Sequence, residues 1–238
     1  MFIALAFFAF LLGSIPFGVI ICRAKGVDIF SVGSGNIGAT NVVRAVGPAF
    51  GMLVFALDVA KGYVPGLMAR LLIHDSPFGI DAQAWSFIFG SVAIVGHVFS
   101  PWISFRGGKG IATGLGALLA SIPVTGLLAL AVMILITAIS RYVSLGSIVA
   151  ALSTIPISLL IVKDSPQVIP ILVLANFVVI SKHRANISRI INGTENKFRF
   201  KSNEIPPEQK TDEKTGDECK KLDDEPKNEE LMDQDRRP

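Results

Sequence analysis

Residues 111–140 read IATGLGALLASIPVTGLLALAVMILITAIS, thirty residues without a charged side chain. As a single helix this run would be about 45 Å long at ~1.5 Å per residue, well beyond the roughly 30 Å hydrocarbon core of a bilayer. Pro123 removes a helix donor and disfavours the helical region at Ile122, and Ser121, Thr125 and Gly126 lie around it. The run is therefore read as a short helix entering the membrane and a longer one returning, with the break near Pro123. The alternative is one long tilted helix.

Working outward, further apolar runs occupy 1–22, 49–73, 84–105, 142–162 and 166–181, in a chain that is 51% apolar with a mean hydropathy of +0.56. Most approach the roughly 20 residues that a crossing helix needs, and in lipid such runs must be helical to satisfy their backbone. The expectation is an all-α, polytopic integral membrane protein with seven transmembrane helices, the fourth short; the tilted alternative gives five or six. The first run has no basic residues before it, while Arg23 and Lys25 follow it, so it is read as a retained helix with its N-terminus outside. Arg44, Arg106, Lys109, Arg141, Lys182, Arg184 and Arg189 then mark the cytoplasmic loops, leaving 74–81 and 163–166 as short outer turns and the C-terminus cytoplasmic.

Residues 204–238 hold 13 acidic and 7 basic residues and almost no large apolar side chain, too little to offset the entropy of ordering. The chain divides into a membrane-embedded domain, 1–198, and a disordered charged cytoplasmic tail, 199–238. Residues 1–203 carry 15 basic and 6 acidic residues, a net +9 that suits anionic headgroups and anionic substrates. Nothing in the pattern points to nucleic acid, a required protein partner or a cofactor. Cys22 and Cys219 share no metal-ligand spacing, and no metal site is expected.

Four polar segments interrupt the apolar runs. The first, 31–44, contains Gly33-x-Gly35-x-x-Gly38 with Asp58 twenty residues beyond, but a dinucleotide fingerprint needs a preceding strand, and here a membrane helix precedes. Small residues instead bring N–H groups together, Ser34, Asn36, Thr40 and Asn41 add side-chain contacts beside Gly38, and Arg44 adds a fixed charge: a phosphate hole. The second, 96–114, is not a P-loop, because Ile103 stands where its first glycine belongs and Gly110 where its Ser or Thr belongs. Gly107, Gly108 and Gly110 still expose amides at the start of the fourth helix, with Thr113 one turn on, Lys109 as a mobile charge and His97 upstream.

In the third segment Ser144 and Ser147 share one side of the sixth helix. In the fourth, His183 and Asn186 face the same way, and Glu195 is read as the ion-pair partner of a nearby cation. Asp58 and Lys61, at a costly depth in the second helix, are read as a mutual pair that orients that helix toward the polar segments. Such basic segments on one membrane face suit an enzyme that handles a phosphorylated headgroup and an acyl chain. The alternative class is a transporter of a phosphorylated small solute, for which no inverted repeat is evident.

The stretches 33–44, Asp58-x-x-Lys61-Gly62, 96–114 with its Gly-Gly-Lys-Gly, and His183-x-x-Asn186-Ile187 through Glu195 resemble, in order, the bacterial acyl-phosphate:glycerol-3-phosphate acyltransferase (PlsY-type) family. The resemblance covers residues 1 to about 198 and implies a seven-span enzyme of the bacterial inner membrane with its active site on the cytoplasmic face. It implies acyl transfer from acyl phosphate to the sn-1 hydroxyl of glycerol 3-phosphate, giving lysophosphatidic acid and phosphate at the first step of phospholipid synthesis. Neither acyl-CoA, acyl carrier protein nor a covalent enzyme intermediate would take part. The resemblance assigns Arg44, Lys109, Ser147, His183 and Asn186 to glycerol 3-phosphate, and Thr40 and Asn41 to acyl phosphate. Lys109, Arg44, His97 and His183 are the catalytic candidates. The hydroxyl proton would go to His97, to His183 or to a substrate phosphate oxygen. The His-x4-Asp pattern of another acyltransferase class is absent, since Gly79, Trp102 and Ser188 stand five residues after the three histidines.

Overall fold

The computed structural model describes residues 1–74, 77–163 and 165–198, and among these no strand occurs. The tail expected over 199–238, and Asp75 and Asp164 of the expected outer turns, lie outside the described residues.

The first apolar run forms α1 (Phe2–Ser14) and α2 (Phe17–Ala24), separated at Pro16. A short amphipathic α3 (Ala39–Val46) leads through Gly47, at φ +95°, into α4 (Pro48–Leu72), whose Pro48 stands at the first position, where no donor is needed. Asp81 caps α5 (Ala82–Val98) by accepting from the Ala84 amide at 2.9 Å, and it also accepts from Ser165 Oγ at 2.8 and 2.7 Å. The break falls where the proline requires it: α6 (Ile111–Ser121) ends at Ile122, and Pro123 opens α7 (Pro123–Ser140). Three more helices follow, α8 (Val143–Ile161), α9 (Val168–Ser181) and α10 (Arg184–Ile191), with α9 and α10 bent by 59°.

Among the described residues, five stretches are long and apolar enough to cross a membrane: Phe2–Ala24, Pro48–Leu72, Ala82–Ile103, Pro123–Ser140 and Val143–Ile161. The bent α9 and α10 pair makes a sixth by the same measure, while α6, at 11 residues, is too short to qualify. The chain is thus an all-helical, multi-pass membrane protein.

The short α6 packs among longer neighbours. Gly62 of α4 lies on the Thr113 carbonyl, Gly116 of α6 on the Val59 carbonyl, and Gly90 of α5 on Ala117. Small residues let helix backbones approach closely, the form of association that lipid favours. Arg70 Nη1 donates to the Ala120 carbonyl at 3.2 Å and so caps the C-terminal end of α6 with a cation. Gly116→Val would drive its side chain into the Val59 carbonyl; the expected loss is about 1–3 kcal/mol, read as a lowered Tm in detergent.

Candidate active site

The site starts with a loop that spends side chains on its own shape. Gly33 and Gly35, at φ +55° and +64°, turn the chain so that Asn41 reaches back from α3. Asn41 Nδ2 donates to the Ile29 and Val32 carbonyls at 3.3 and 2.9 Å, and its Oδ1 accepts from the Ser34 amide at 3.1 Å. Both amide hydrogens are used within the loop, so Asn41 braces it while also lining the cavity. Asn36 Oδ1 likewise accepts from the Gly38 amide at 3.0 Å. Held in this way, Ser34, Gly38, Thr40 and Arg44 line one wall of a cavity.

The second wall comes from the 107–110 turn. Gly108 N–H donates to the His97 carbonyl at 3.1 Å, and its Cα packs on the His97 ring so closely that a Cβ would collide with it. Gly110, at φ +82°, then starts α6. Lys109 and Gly110 line the cavity, whereas Gly108 lies behind it on the imidazole. Thr113, expected at the anion, is instead fully buried against α4. Burial pulls the Lys109 ammonium down to about 8, opposed by Glu195 and reinforced by Arg189 and Arg44. Burial also lowers Arg44, with Glu195 opposing, but a guanidinium keeps its charge.

The remaining wall is organised by Glu195. Its Oε1 accepts from Ser144 Oγ and Asn186 Nδ2, each at 2.7 Å, and its Oε2 accepts from Arg189 Nε at 2.7 Å. Burial pushes the Glu195 carboxyl up, but these three donors outweigh it and hold the group below its ordinary value. The expected ion pair therefore exists, with Arg189. Ser147 Oγ donates to the Val143 carbonyl at 2.8 Å and keeps its lone pairs for a ligand. His183, 1% exposed, is 2.8 Å from the Val179 carbonyl through Nδ1. A carbonyl there requires the proton on Nδ1, which leaves Nε2 as an acceptor.

Asp58 and Lys61 form the expected pair at 2.7 Å, and Asp58 and His97 line the cavity from α4 and α5. Residues not singled out from the sequence also line it: Phe55, Met133, Arg189 and Asn196. Arg189 had a signal, since it follows Asn186 by three on one helix face. Phe55 and Met133 had none, being apolar residues in apolar runs. Beside the polar cavity runs a groove between α6, α7, α8 and α9, lined by Gly114, Leu118, Ala129, Ala150 and Val179. Phe55, Gly110, Ile111, Met133 and Ser147 belong to both. The arrangement can hold an anionic group and an alkyl chain side by side.

The family model described as glycerol-3-phosphate acyltransferase matches residues 3–193. The glycerol-3-phosphate acyltransferase of Trichlorobacter lovleyi is 49% identical over 191 residues, covering 80% of this chain and 94% of that protein. That of Aquifex aeolicus is 42% identical over 194 residues, covering 82% and 97%. Crystal structures of PlsY (YgiH), an integral membrane glycerol 3-phosphate acyltransferase, are similar in fold at 40% identity, covering 83% of this chain and 95% of that one. The TM-score is 0.76 for its glycerol 3-phosphate form and 0.74 for its lysophosphatidic acid form. Matched along four fifths of its length in sequence and in fold, the chain belongs to the glycerol-3-phosphate acyltransferase family.

Proposed function

We propose that this chain transfers an acyl group from acyl phosphate to the sn-1 hydroxyl of glycerol 3-phosphate, releasing lysophosphatidic acid and inorganic phosphate. The observation that carries the reading is the shared wall: a basic cavity for phosphate opens along Phe55, Ile111 and Met133 into an apolar groove for the acyl chain. In acyl phosphate the leaving group is already good, so the protein's task is to orient two phosphates and to stabilise developing negative charge. Arg44, Lys109, Ser147, His183 and Asn186 hold glycerol 3-phosphate, while Thr40, Ser34 and the loop amides hold acyl phosphate. The hydroxyl oxygen bonds to the carbonyl carbon, the carbon–phosphate oxygen bond breaks, and the hydroxyl proton ends on the departing phosphate. It passes there through His183 Nε2 or directly to a phosphate oxygen.

The same reading gives seven crossings with α6 as the short fourth, the N-terminus outside, and residues 1–198 as the enzyme of a bacterial inner membrane. In this topology Arg23 ends the first crossing, Lys25, Arg44 and Lys109 lie in loops on the same side, and Lys182 and Arg189 follow the last crossing there, which supports a cytoplasmic cavity. The membership of an acyltransferase family favours this over transport of a phosphorylated solute. Purified full-length chain given acyl phosphate and glycerol 3-phosphate is expected to release phosphate in equal amount to lysophosphatidic acid. Acylation that requires acyl-CoA would overturn the reading.

A further inference from the structure

Behind Lys109 lies a buried charge cluster that this reaction scheme leaves unused. Asp58 and Lys61 on α4 and His97 on α5 are 3%, 1% and 4% exposed. Asp58 Oδ1 is 2.7 Å from Lys61 Nζ and 3.8 Å from His97 Nδ1, and the ammonium also sits 4.9 Å over the Phe17 ring. The far edge of the same imidazole carries Gly108, whose added Cβ would meet Nε2, Cε1 and Cδ2. The His97 carbonyl accepts from the Gly108 amide, and an added Cβ on Gly107 would meet the His97 and Val98 carbonyls. The imidazole is thus wedged between a carboxylate and the backbone that carries Lys109.

Stability does not account for the cluster, because a buried ion pair is often matched or bettered by apolar residues of similar volume, and ionisable groups at membrane depth are expensive. Charge balance gives a better account. A lone carboxylate lining a phosphate cavity would repel its ligand; Lys61 cancels that charge and leaves Asp58 as an acceptor facing His97. The geometry points to Asp58 and Lys61 as positioning residues that, through His97, fix the backbone of Gly107 and Gly108 and so set where the Lys109 ammonium sits. This rests on the reading that Lys109 holds the phosphate of glycerol 3-phosphate.

Asp58→Asn by itself would strand Lys61, so the test is the double variant Asp58→Asn with Lys61→Met, which removes both charges at similar volume. It is expected to elute as a folded, monodisperse protein with the KM for glycerol 3-phosphate raised about tenfold or more, because a misplacement near 1 Å costs up to about 100-fold. The KM for acyl phosphate should stay within about twofold, and Lys61→Arg, which keeps the pair, should stay near parental values. Parental KM for both substrates, or an equal rise in both, overturns the proposal. Should the double variant not fold, His97→Phe keeps a ring under Gly108 without a nitrogen toward Asp58; the same split supports the proposal and parental KM values overturn it. Lys109→Ala in parallel separates the two failures. If it leaves the KM for glycerol 3-phosphate unchanged, the reading of Lys109 falls and the relay with it. If it raises that KM while the double variant does not, only the relay is wrong.

Discussion

Lys109→Ala is expected to lower kcat/KM for glycerol 3-phosphate by about 100- to 1,000-fold, the usual effect of removing one donor aimed at reaction charge, or roughly 3–4 kcal/mol. The side chain comes from a glycine-flanked turn whose only charge it is, and it lines the polar cavity. The charge also titrates within reach of experiment. Burial lowers the ammonium from its ordinary 10.5 to about 8, and on the proposed reading the charged form is the one that holds phosphate. Binding is therefore complete below about 8 and is lost as pH rises through it, so kcat/KM should fall on the alkaline side near pH 8. Lys109→Arg keeps its charge throughout this range and should move that limb upward, even though a guanidinium fits the site less well and lowers the absolute rate. A pH profile of phosphate release for the parent and both variants checks all three statements.

Glu195→Ala should be the most damaging single change on the opposite wall. It removes the shared acceptor of Ser144, Asn186 and Arg189 at once and leaves Arg189 as an uncompensated cation beside Arg44 and Lys109. Arg189 is 37% exposed, so water recovers part of its loss, and the expected destabilisation is about 2–3 kcal/mol rather than the 3–5 of a fully buried pair. Activity should fall by about 100-fold or more, since Asn186 and Ser144 lose the geometry that Glu195 imposes. Glu195→Gln retains an acceptor for Ser144 and Asn186 but turns a donor toward Arg189, and should fall between the two. Thermal unfolding in detergent with phosphate release on the same preparations reads both effects.

Much of the helical layout was legible because lipid leaves few alternatives. An uncharged thirty-residue run has to break, and Pro123 supplies a place where a donor is missing; the junction at Ile122 follows from local chemistry. Lys109, Arg44, Asn186 and Glu195 stood out for the opposite reason, as polar residues that apolar runs do not explain. What spacing did not reveal is how the walls meet. Ser144 and Glu195 are 51 positions apart, and no periodicity brings them together. Nor does sequence show that Asn41 is consumed by the Ile29 and Val32 carbonyls, since that depends on the path of a loop through two left-handed glycines. Thr113 was misplaced for a related reason. It lies one turn into α6 and is fully buried, its carbonyl against Gly62 where that glycine and Gly116 let α4 and α6 approach closely.

The wall shared by cavity and groove also decides how this enzyme meets its reactants. Phe55, Ile111 and Met133 join the polar cavity to the apolar groove. On the proposed reaction, glycerol 3-phosphate would arrive in three dimensions and be measured as a molarity, whereas a donor with its alkyl chain in the groove would arrive in two and be measured as a mole fraction of the surrounding lipid. On that reading the product inherits the second habit: with its tail in the groove it would leave sideways into lipid rather than into solution.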